Sequence, residues 1–250
     1  MNRNILRWAA VWVFLQLAVG LGALGPVVRV ALGANKPPYI IPDPPGGIEY
    51  DLVRLVVEGM GATPDIAMVP NARAQEMLRL GRVDAAFGQE GEFVSQPYIA
   101  YQNVVVTLQT RGIVLKTVAD LGDYRVTAFQ NARIFLGPSF RAMADLNADY
   151  REVSPQLLAN QLLFSGRTDV VVSDINIFTY LNARAEEEVN VHQTVTIHRM
   201  FPPTRYSLVF RDPALRDAFD ASLKRVLKSD PYTDLARKYL PPGTQVTFRP

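Results

Sequence analysis

The chain has 250 residues, of which 48% are apolar, so it is long enough to bury the core of one large domain or of two lobes. It contains no cysteine and only two histidines, which excludes a disulfide framework, a thiolate metal site and a cysteine nucleophile. The formal net charge is +2, and no basic stretch resembles a nucleic-acid footprint. We therefore expect no metal, no cofactor and no nucleic-acid partner.

Residues 1–25 predict an export signal. Arg3 and Arg7 precede an apolar run over residues 8–19, and small residues follow it as far as Gly25, as in a secretory signal peptide. The run is short for a membrane span of about 20 residues, although an uncleaved N-terminal anchor is the alternative. Removing this segment takes away two arginines and no acid, which leaves basic and acidic residues equal in number. The net charge thus belongs to the signal, and we expect a periplasmic protein.

The rest of the chain alternates strands and helices. Apolar and β-branched runs predict strands, whereas apolar residues at helical spacing between capping residues predict helices. The predicted strands are 27–33, 65–69, 83–88, 104–108, 125–129, 170–173 and 207–210. The predicted helices are 48–60, 72–80, one that ends near Phe164, 213–228 and 231–239. This alternation indicates an α/β fold with largely parallel sheets.

One short segment occurs twice. Residues 78–84 read LRLGRVD, and residues 163–169 read LFSGRTD. In both copies we expect a helix to end at the glycine, which accepts a left-handed conformation, and a buried strand to follow. We interpret the repeat as structural rather than as a ligand contact, and it suggests two similar α/β lobes.

Four local matches, spread over about residues 27 to 240, carry a family resemblance. They are the strand VRVAL with the following Pro37-Pro38-Tyr39, residues 47–52 (GIEYDL), residues 81–85 (GRVDA) with 95–98 (SQPY), and residues 166–169 (GRTD) leading to Asp174. In this order and spacing the chain resembles the bacterial extracellular solute-binding proteins of family 3, the periplasmic receptors of polar amino-acid ABC importers.

The resemblance implies the two-lobed periplasmic binding protein fold (type II), with two mostly parallel sheets joined by a two-segment hinge. Lobe one is then expected to hold residues 26–109 and 211–250, and lobe two residues 110–210. Hinge segments are expected near residues 107–112 and 205–210. Such proteins close around a ligand by hinge motion, so the ligand is expected between the lobes.

Three candidate ligand contacts lie in the first part of lobe one. Two prolines stiffen the loop before Tyr39, whose ring either stacks on a ligand or covers the core. Glu49 stands near the start of a helix, where a carboxylate either contacts the ligand or complements the helix dipole. Arg73 lies in the first turn of its helix, where a cation opposes the dipole, so we expect it to bind a ligand carboxylate rather than to be an ordinary surface arginine.

Three more candidates surround the next predicted strand. Gln89 and Glu90 follow it at its carboxyl end, where ligands sit in parallel α/β sheets, and Tyr98 lies close to the same loop. The family usually places here an arginine that clamps the ligand's α-carboxylate, but this sequence has none between Gly88 and Tyr98. Either Arg73 takes that role or the ligand lacks the carboxylate.

Lobe two supplies the last candidates. Asn131 and Arg133 lie where a strand turns into a helix, and free backbone amides at such a turn can bind an anion. An ordinary strand-to-helix turn is the alternative. Asp174 follows an apolar strand and matches the family's acid that receives the ligand ammonium. A carboxylate at that place is costly unless it is paired, which favours a binding role.

These observations predict a monomeric periplasmic receptor and not an enzyme. It captures a small polar, amine-bearing, amino-acid-like solute and delivers it to an ABC permease or a membrane sensor. Two alternatives stay open: an enzyme on the same fold, dehydratase-like, and a ligand-sensing module that acts on a membrane partner.

Overall fold

A computed structural model describes residues 25–242 and 248–250. The export signal expected at residues 1–25 lies outside the described residues except for Gly25. Within the described ranges, no helix combines the length and the apolar character needed to cross a membrane.

Strands and helices alternate as the hydrophobic pattern predicts. The strands are β1 Val27–Leu32, β2 Thr63–Met68, β3 Ala85–Gly88, β4 Phe93–Val94, β5 Ile99–Tyr101, β6 Asn103–Leu108, β7 Val126–Phe129, β8 Tyr150–Val153, β9 Val170–Asp174, β10 Val195–His198 and β11 Thr204–Phe210. The helices are α1 Ile48–Glu58, α2 Asn71–Arg79, α3 Ala132–Phe135, α4 Pro138–Leu146, α5 Leu157–Phe164, α6 Ile175–Ala185, α7 Pro213–Val226 and α8 Asp230–Tyr239. Short 3₁₀ turns cover Gln109–Arg111 and Val118–Asp123.

Two sheets form the two lobes. The first sheet has the strand order β2-β1-β3-β11-β4, with β5 also paired to β11, and the second has the order β10-β6-β9-β7-β8. Helices α7 and α8 pack against α1, which returns the C-terminal part of the chain to the first lobe. We call the first sheet with its helices lobe one and the second sheet with its helices lobe two. The predicted α/β fold class with two lobes is confirmed.

Each sheet is mixed rather than mostly parallel. Strand β1 runs parallel to β2 and β3, and β7 runs parallel to β8 and β9, as the helical crossovers predict. In lobe one β11 runs antiparallel to β3, β4 and β5, and in lobe two β6 runs antiparallel to β9 and β10. The chain enters a new sheet through β6 and again through β11. Neither strand follows a helical crossover from a neighbour in its sheet, so each can pair antiparallel.

The chain passes between the lobes earlier than the resemblance implies. Strand β6, over Asn103–Leu108, pairs wholly within the second sheet, and β11, over Thr204–Phe210, pairs wholly within the first. The first crossing therefore lies at Gln102 and the second just before Thr204, not within residues 107–112 and 205–210. The lobe boundaries expected at 109–110 and 210–211 shift with the crossings, because strand pairing rather than sequence similarity decides to which sheet a strand belongs.

The second sheet is buried on both faces. Val170 and Val172 of β9 pack on one face with Phe140, whereas Val171 packs on the other face with Phe178. This explains why the strand reads as a continuous apolar run instead of alternating. Helix α6 also sends Ile177 and Leu181 into the core of lobe one, so the two lobes share apolar contact.

The repeated segment is a structural device in both lobes. Gly81 and Gly166 adopt left-handed φ values of 69° and 70° where α2 and α5 end. The aspartate three residues later exchanges hydrogen bonds with the neighbouring strand region. Asp84 accepts from the amide of Arg29 at 2.9 Å, and Asp169 accepts from the amide of Arg125 at 3.2 Å.

Candidate functional site

A cleft of about 460 Å³ lies between the lobes. It opens at the carboxyl ends of β1, β3, β7 and β9, which is where α/β sheets present ligand-binding loops. Residues of both lobes line it: Lys36, Asn71, Phe87, Gln89, Tyr101, Thr204 and Tyr206 from lobe one, and Asn103, Phe129, Gln130, Phe135, Gln156, Asp174 and Ile177 from lobe two. Aromatic rings, amides and one charge of each sign thus meet in a single cavity.

Asp174 lies in the cleft wall as the N-cap of α6, and its side chain is only 3% exposed. One carboxylate oxygen accepts from the amides of Asn176 at 2.9 Å and Ile177 at 3.0 Å. The other accepts from the amide of Gln102 at 2.8 Å, at the crossing between the lobes. The carboxylate therefore closes a helix end and holds the crossing in place.

Tyr39 completes the environment of Asp174 from the opposite lobe. Its hydroxyl donates to the two carboxylate oxygens at 3.1 and 3.2 Å and accepts from the side-chain amide of Asn176 at 2.9 Å. The ring is fully buried and stacks on Tyr101 with 4.0 Å between centroids. Tyr39 thus contacts Asp174 directly and does not line the cleft.

Burial dominates the electrostatics of this pair. It raises the pKa of Asp174 to about 6, although the hydrogen bonds from Ile177, Gln102, Tyr39 and Asn176 favour the ionised form. Burial, together with the negative charge of Asp174, also raises the pKa of Tyr39 well above its usual value. The phenol therefore stays protonated and acts as the donor.

Glu49 and Tyr98 form a buried layer beneath the cleft rather than part of its wall. Glu49 accepts from the hydroxyls of Tyr98 and Tyr101, the latter at 2.6 Å. Burial, reinforced by the charge of Glu49, raises the pKa of both tyrosines. Because Tyr101 does line the cleft, Glu49 and Tyr98 position a cleft residue from behind.

Gln89 and Glu90 lie where their sequence position predicts, at the carboxyl end of β3. Gln89 lines the main cleft and an adjoining surface cavity of about 440 Å³, and Glu90 lines that second cavity. The side-chain amide of Gln89 donates to the carbonyl of Arg205 at 2.6 Å, which fixes its orientation.

Arg73 lies outside the lining of both cavities, which corrects its expected place. It is exposed on α2, whose buried residues are Ala74 and Leu78, so it faces away from lobe one. The neighbouring Asn71 reaches the cleft instead. Arg73 is thus an exposed residue, and its position relative to the helix dipole did not predict a place in the cleft lining.

Asn131 and Arg133 also lie outside the cleft lining. Their backbone amides, expected to bind an anion, both donate to the carboxylate of Glu152, at 2.6 and 3.1 Å. Burial of Glu152 is outweighed by these amides and by the Tyr150 hydroxyl, which hold its pKa below the usual value. The turn does bind a carboxylate, but the protein supplies it. The side chain of Arg133 is exposed, 3.5 Å from Asp145.

Lys36 is the positively charged residue of the cleft lining, and the sequence did not single it out. It lies in the same tight loop as Tyr39, whose amide donates to the Lys36 carbonyl at 2.8 Å. Its ammonium sits 4.8 Å from the centroid of the Phe87 ring and 5.9 Å from that of Tyr101. The rigid Pro-Pro loop that drew attention to Tyr39 was a signal for Lys36 as well.

The lining of the cleft offers hydrogen-bonding and charged groups for a polar solute. Among residues 25–242 and 248–250, no group of three or more histidine or acidic side chains is placed to hold a metal ion.

Comparisons with known proteins agree with this geometry. The family model for bacterial extracellular solute-binding proteins, family 3, matches residues 28–242. No curated protein matches the sequence.

Solved structures share the fold at low sequence identity. A histidine kinase sensor domain with similarity to periplasmic binding proteins is 20% identical, with a TM-score of 0.62 over 86% of this chain and 96% of that one. The GluR0 ligand-binding core in complex with L-glutamate is 18% identical, with a TM-score of 0.64 over 88% and 100% of the two chains. An ancestral amino-acid-binding protein described as a precursor of cyclohexadienyl dehydratase is 19% identical, with a TM-score of 0.58 over 86% and 96%.

The two lobes, the interlobe cleft and the family match over nearly the whole described chain lead to one assignment. The chain belongs to the bacterial extracellular solute-binding proteins, family 3.

Proposed function

We propose that this protein is a periplasmic receptor that captures a small polar solute between its lobes and passes it on unchanged. The observation that carries the proposal is the cleft of about 460 Å³ at the carboxyl ends of strands from both sheets. Side-chain amides of both lobes and hydroxyls of lobe one line it, so a solute bound there contacts both lobes and favours their closed arrangement.

The hydrogen bonds of Asp174 argue against a catalytic role for its carboxylate. A general acid or base must exchange its proton with the substrate. Both oxygens of Asp174 already accept hydrogen bonds from Tyr39, Gln102, Asn176 and Ile177. The carboxylate serves the helix end and the lobe contact, and a dehydratase-like enzyme therefore remains the second choice.

Delivery to an ABC importer is the downstream role that we propose for a monomeric receptor. Family membership and the export signal expected at residues 1–25 support it. The histidine kinase sensor domain of the same fold makes a sensing partner in the membrane the alternative. Either partner receives a protein that has closed around a solute.

A thermal-shift screen with amino acids, amines and small carboxylates tests the proposal. Saturation at about 100 times Kd stabilises a protein by about 2.7 kcal/mol, so a binding solute is expected to raise the Tm by about 5 to 10 °C. The solute recovered from the complex should have an unchanged mass.

Two variants place the bound solute. Gln130→Ala, in the cleft, should reduce the shift, whereas Arg73→Ala, exposed outside it, should not. A screen without any stabilising solute, or conversion of the solute during incubation, would contradict a receptor role.

A further inference from the structure

Lys36 brings a positive charge into the cleft without an acidic partner. It is half-buried, and among the described residues no carboxylate lies within the 4.0 Å that defines an ion pair with its ammonium. Its neighbours are the rings of Phe87 and Tyr101. A Cβ on Gly33 would lie 3.0 Å from its Nζ, so the ammonium packs closely against a glycine.

Closure of the lobes makes this unpaired charge costly. An ammonium that loses water needs hydrogen-bond acceptors or a counter-charge. The other charged residue in the cleft lining is Asp174, whose oxygens are occupied by donors of the protein itself. Among the described residues of the cleft lining no other charged group is left, so the solute is the remaining source of a counter-charge.

The hydrogen bonds that the protein itself donates to Asp174 also disfavour a cationic solute. A ligand ammonium at Asp174 would have to displace the Tyr39 hydroxyl, which donates at 3.1 and 3.2 Å and is held by Asn176 at 2.9 Å. Tyr39 is fully buried and stacked on Tyr101, so its displacement would also disturb the core. The position expected to receive the ligand amine is thus filled by a neutral donor of the opposite lobe.

Aromatic rings form the walls beside Lys36. In lobe one, Tyr206 lies 4.9 Å from Phe87 and 5.0 Å from Tyr101 between ring centroids, which makes a continuous aromatic surface. Lobe two contributes Phe129 and Phe135. The side chain of Phe135 is 71% exposed, so it has apolar surface left to cover. Such walls favour a flat apolar group.

Resting on the proposed receptor function, we infer that Lys36 is the anion contact of the cleft and that the solute is a small carboxylate with a flat apolar body. The carboxylate meets the Lys36 ammonium, and the apolar body lies between the rings of the two lobes. No ligand amine is needed. This replaces the amine-bearing solute expected from Asp174 alone.

Calorimetric titration with matched probes tests the inference. The probes are benzoate, phenylacetate and 3-phenylpropionate, their neutral amides, 2-phenylethylamine and L-phenylalanine. We expect at least one carboxylate to bind the full chain and its amide to bind about ten- to a hundredfold more weakly, the range of a charge-assisted hydrogen bond. Lys36→Met should weaken binding of the carboxylate by a similar factor and leave the affinity for the amide unchanged. Lys36→Arg, which keeps the charge, should restore carboxylate binding.

The outcomes separate this inference from the receptor function. Preferred binding of 2-phenylethylamine or L-phenylalanine, or a carboxylate affinity unaffected by Lys36→Met, would overturn the anion contact while leaving a receptor. Absence of binding by these probes together with binding of another solute in the broader screen would do the same. Absence of binding by every solute would overturn both. An unchanged Tm of the unliganded Lys36→Met protein shows that a loss of affinity is not a loss of fold.

Discussion

The hydroxyl of Tyr39 donates to the carboxylate of Asp174 across the two lobes, at 3.1 Å to one oxygen and 3.2 Å to the other. Tyr39 follows the first strand of lobe one, and Asp174 ends a central strand of lobe two. The same carboxylate accepts from the amide of Gln102, where the chain crosses between the sheets. One buried acid thus joins a helix end, a crossing and a loop of the opposite lobe.

Removal of the Tyr39 hydroxyl should destabilise the protein. Tyr39→Phe keeps the ring that stacks on Tyr101 but takes a donor from a buried carboxylate, which we expect to cost about 1 to 3 kcal/mol of unfolding free energy. Denaturant titration measures this loss. The control is Tyr232→Phe, because the buried hydroxyl of Tyr232 has no hydrogen-bond partner within residues 25–242 and 248–250. Equal effects of the two substitutions would show that the lobe contact contributes nothing.

Asp174 should make stability fall as the pH rises from about 4 to about 6. Its pKa is about 6 in the folded protein and is raised from 3.8, mainly by burial. Between these values the folded state binds more protons than the unfolded state, so the unfolding free energy decreases with pH, by at most roughly 2 to 3 kcal/mol from this group. Tyr39 and Tyr206, which face it, stay protonated throughout because their pKa values are raised.

Asp174→Asn isolates this contribution. Its unfolding free energy, measured by denaturant titration between pH 4 and pH 7, should lack the decrease that the unsubstituted protein shows. The same slope in both proteins would mean that Asp174 titrates with its ordinary pKa.

Asp169 should make the unfolding free energy depend on pH in the opposite direction. Hydrogen bonds from Arg125, with the nearby charge of Arg111, lower the pKa of Asp169 to about 2. Its contribution is present above the unfolded-state value of about 4 and is lost as the pH falls toward 2. Asp169→Asn should therefore lower the Tm at pH 7 and have little effect near pH 2.

The repeat supplies the matched control for Asp169. Asp84→Asn removes the negative charge from the equivalent contact to the amide of Arg29, and no arginine side chain is within ion-pair distance of Asp84 among the described residues. We expect its loss of Tm at pH 7 to be smaller than that of Asp169→Asn. The reverse order would show that the arginines do not strengthen the second copy.

Gly166→Ala tests the left-handed turn of the repeat. Gly166 has a φ of 70°, and a Cβ there would meet nothing within 4 Å, so the substitution measures backbone conformation alone. We expect a loss of about 1 to 2 kcal/mol. Gly122→Ala is the control, since its Cβ also meets open space and its φ lies outside the positive range. A Gly166→Ala protein as stable as the control would contradict a conformational role for the glycine.

Local patterns predicted most of the central framework. The β-branched run around Val170–Asp174 and the helices that end before Gly81 and Gly166 correspond to observed elements, although neither helix has a side-chain N-cap. Strand pairing was less predictable, because the direction of β6 and β11 depends on where the chain crosses between sheets. No residue pattern near Gln102 marks that crossing.

The candidate site shows the same limit. Tyr39 and Asp174 were each expected to contact a ligand, but a contact between residues 135 positions apart cannot be inferred from either segment. The contact of Glu152 with the turn at Asn131 could likewise not be inferred from either segment. Lys36 escaped notice because the Pro-Pro signal beside it drew attention to Tyr39 and a lone lysine in a loop carries no periodicity. The folded loop places its ammonium over Phe87.

Amide NMR mapping of the solute that binds most tightly in the screen addresses the interlobe cleft itself. Titration of the isotope-labelled protein should shift the amide signals of Lys36 and Gln89 in lobe one together with those of Asn103 and Gln130 in lobe two, because these residues line one cavity. Changes confined to one lobe, or centred away from these residues, would contradict capture of a solute between the lobes.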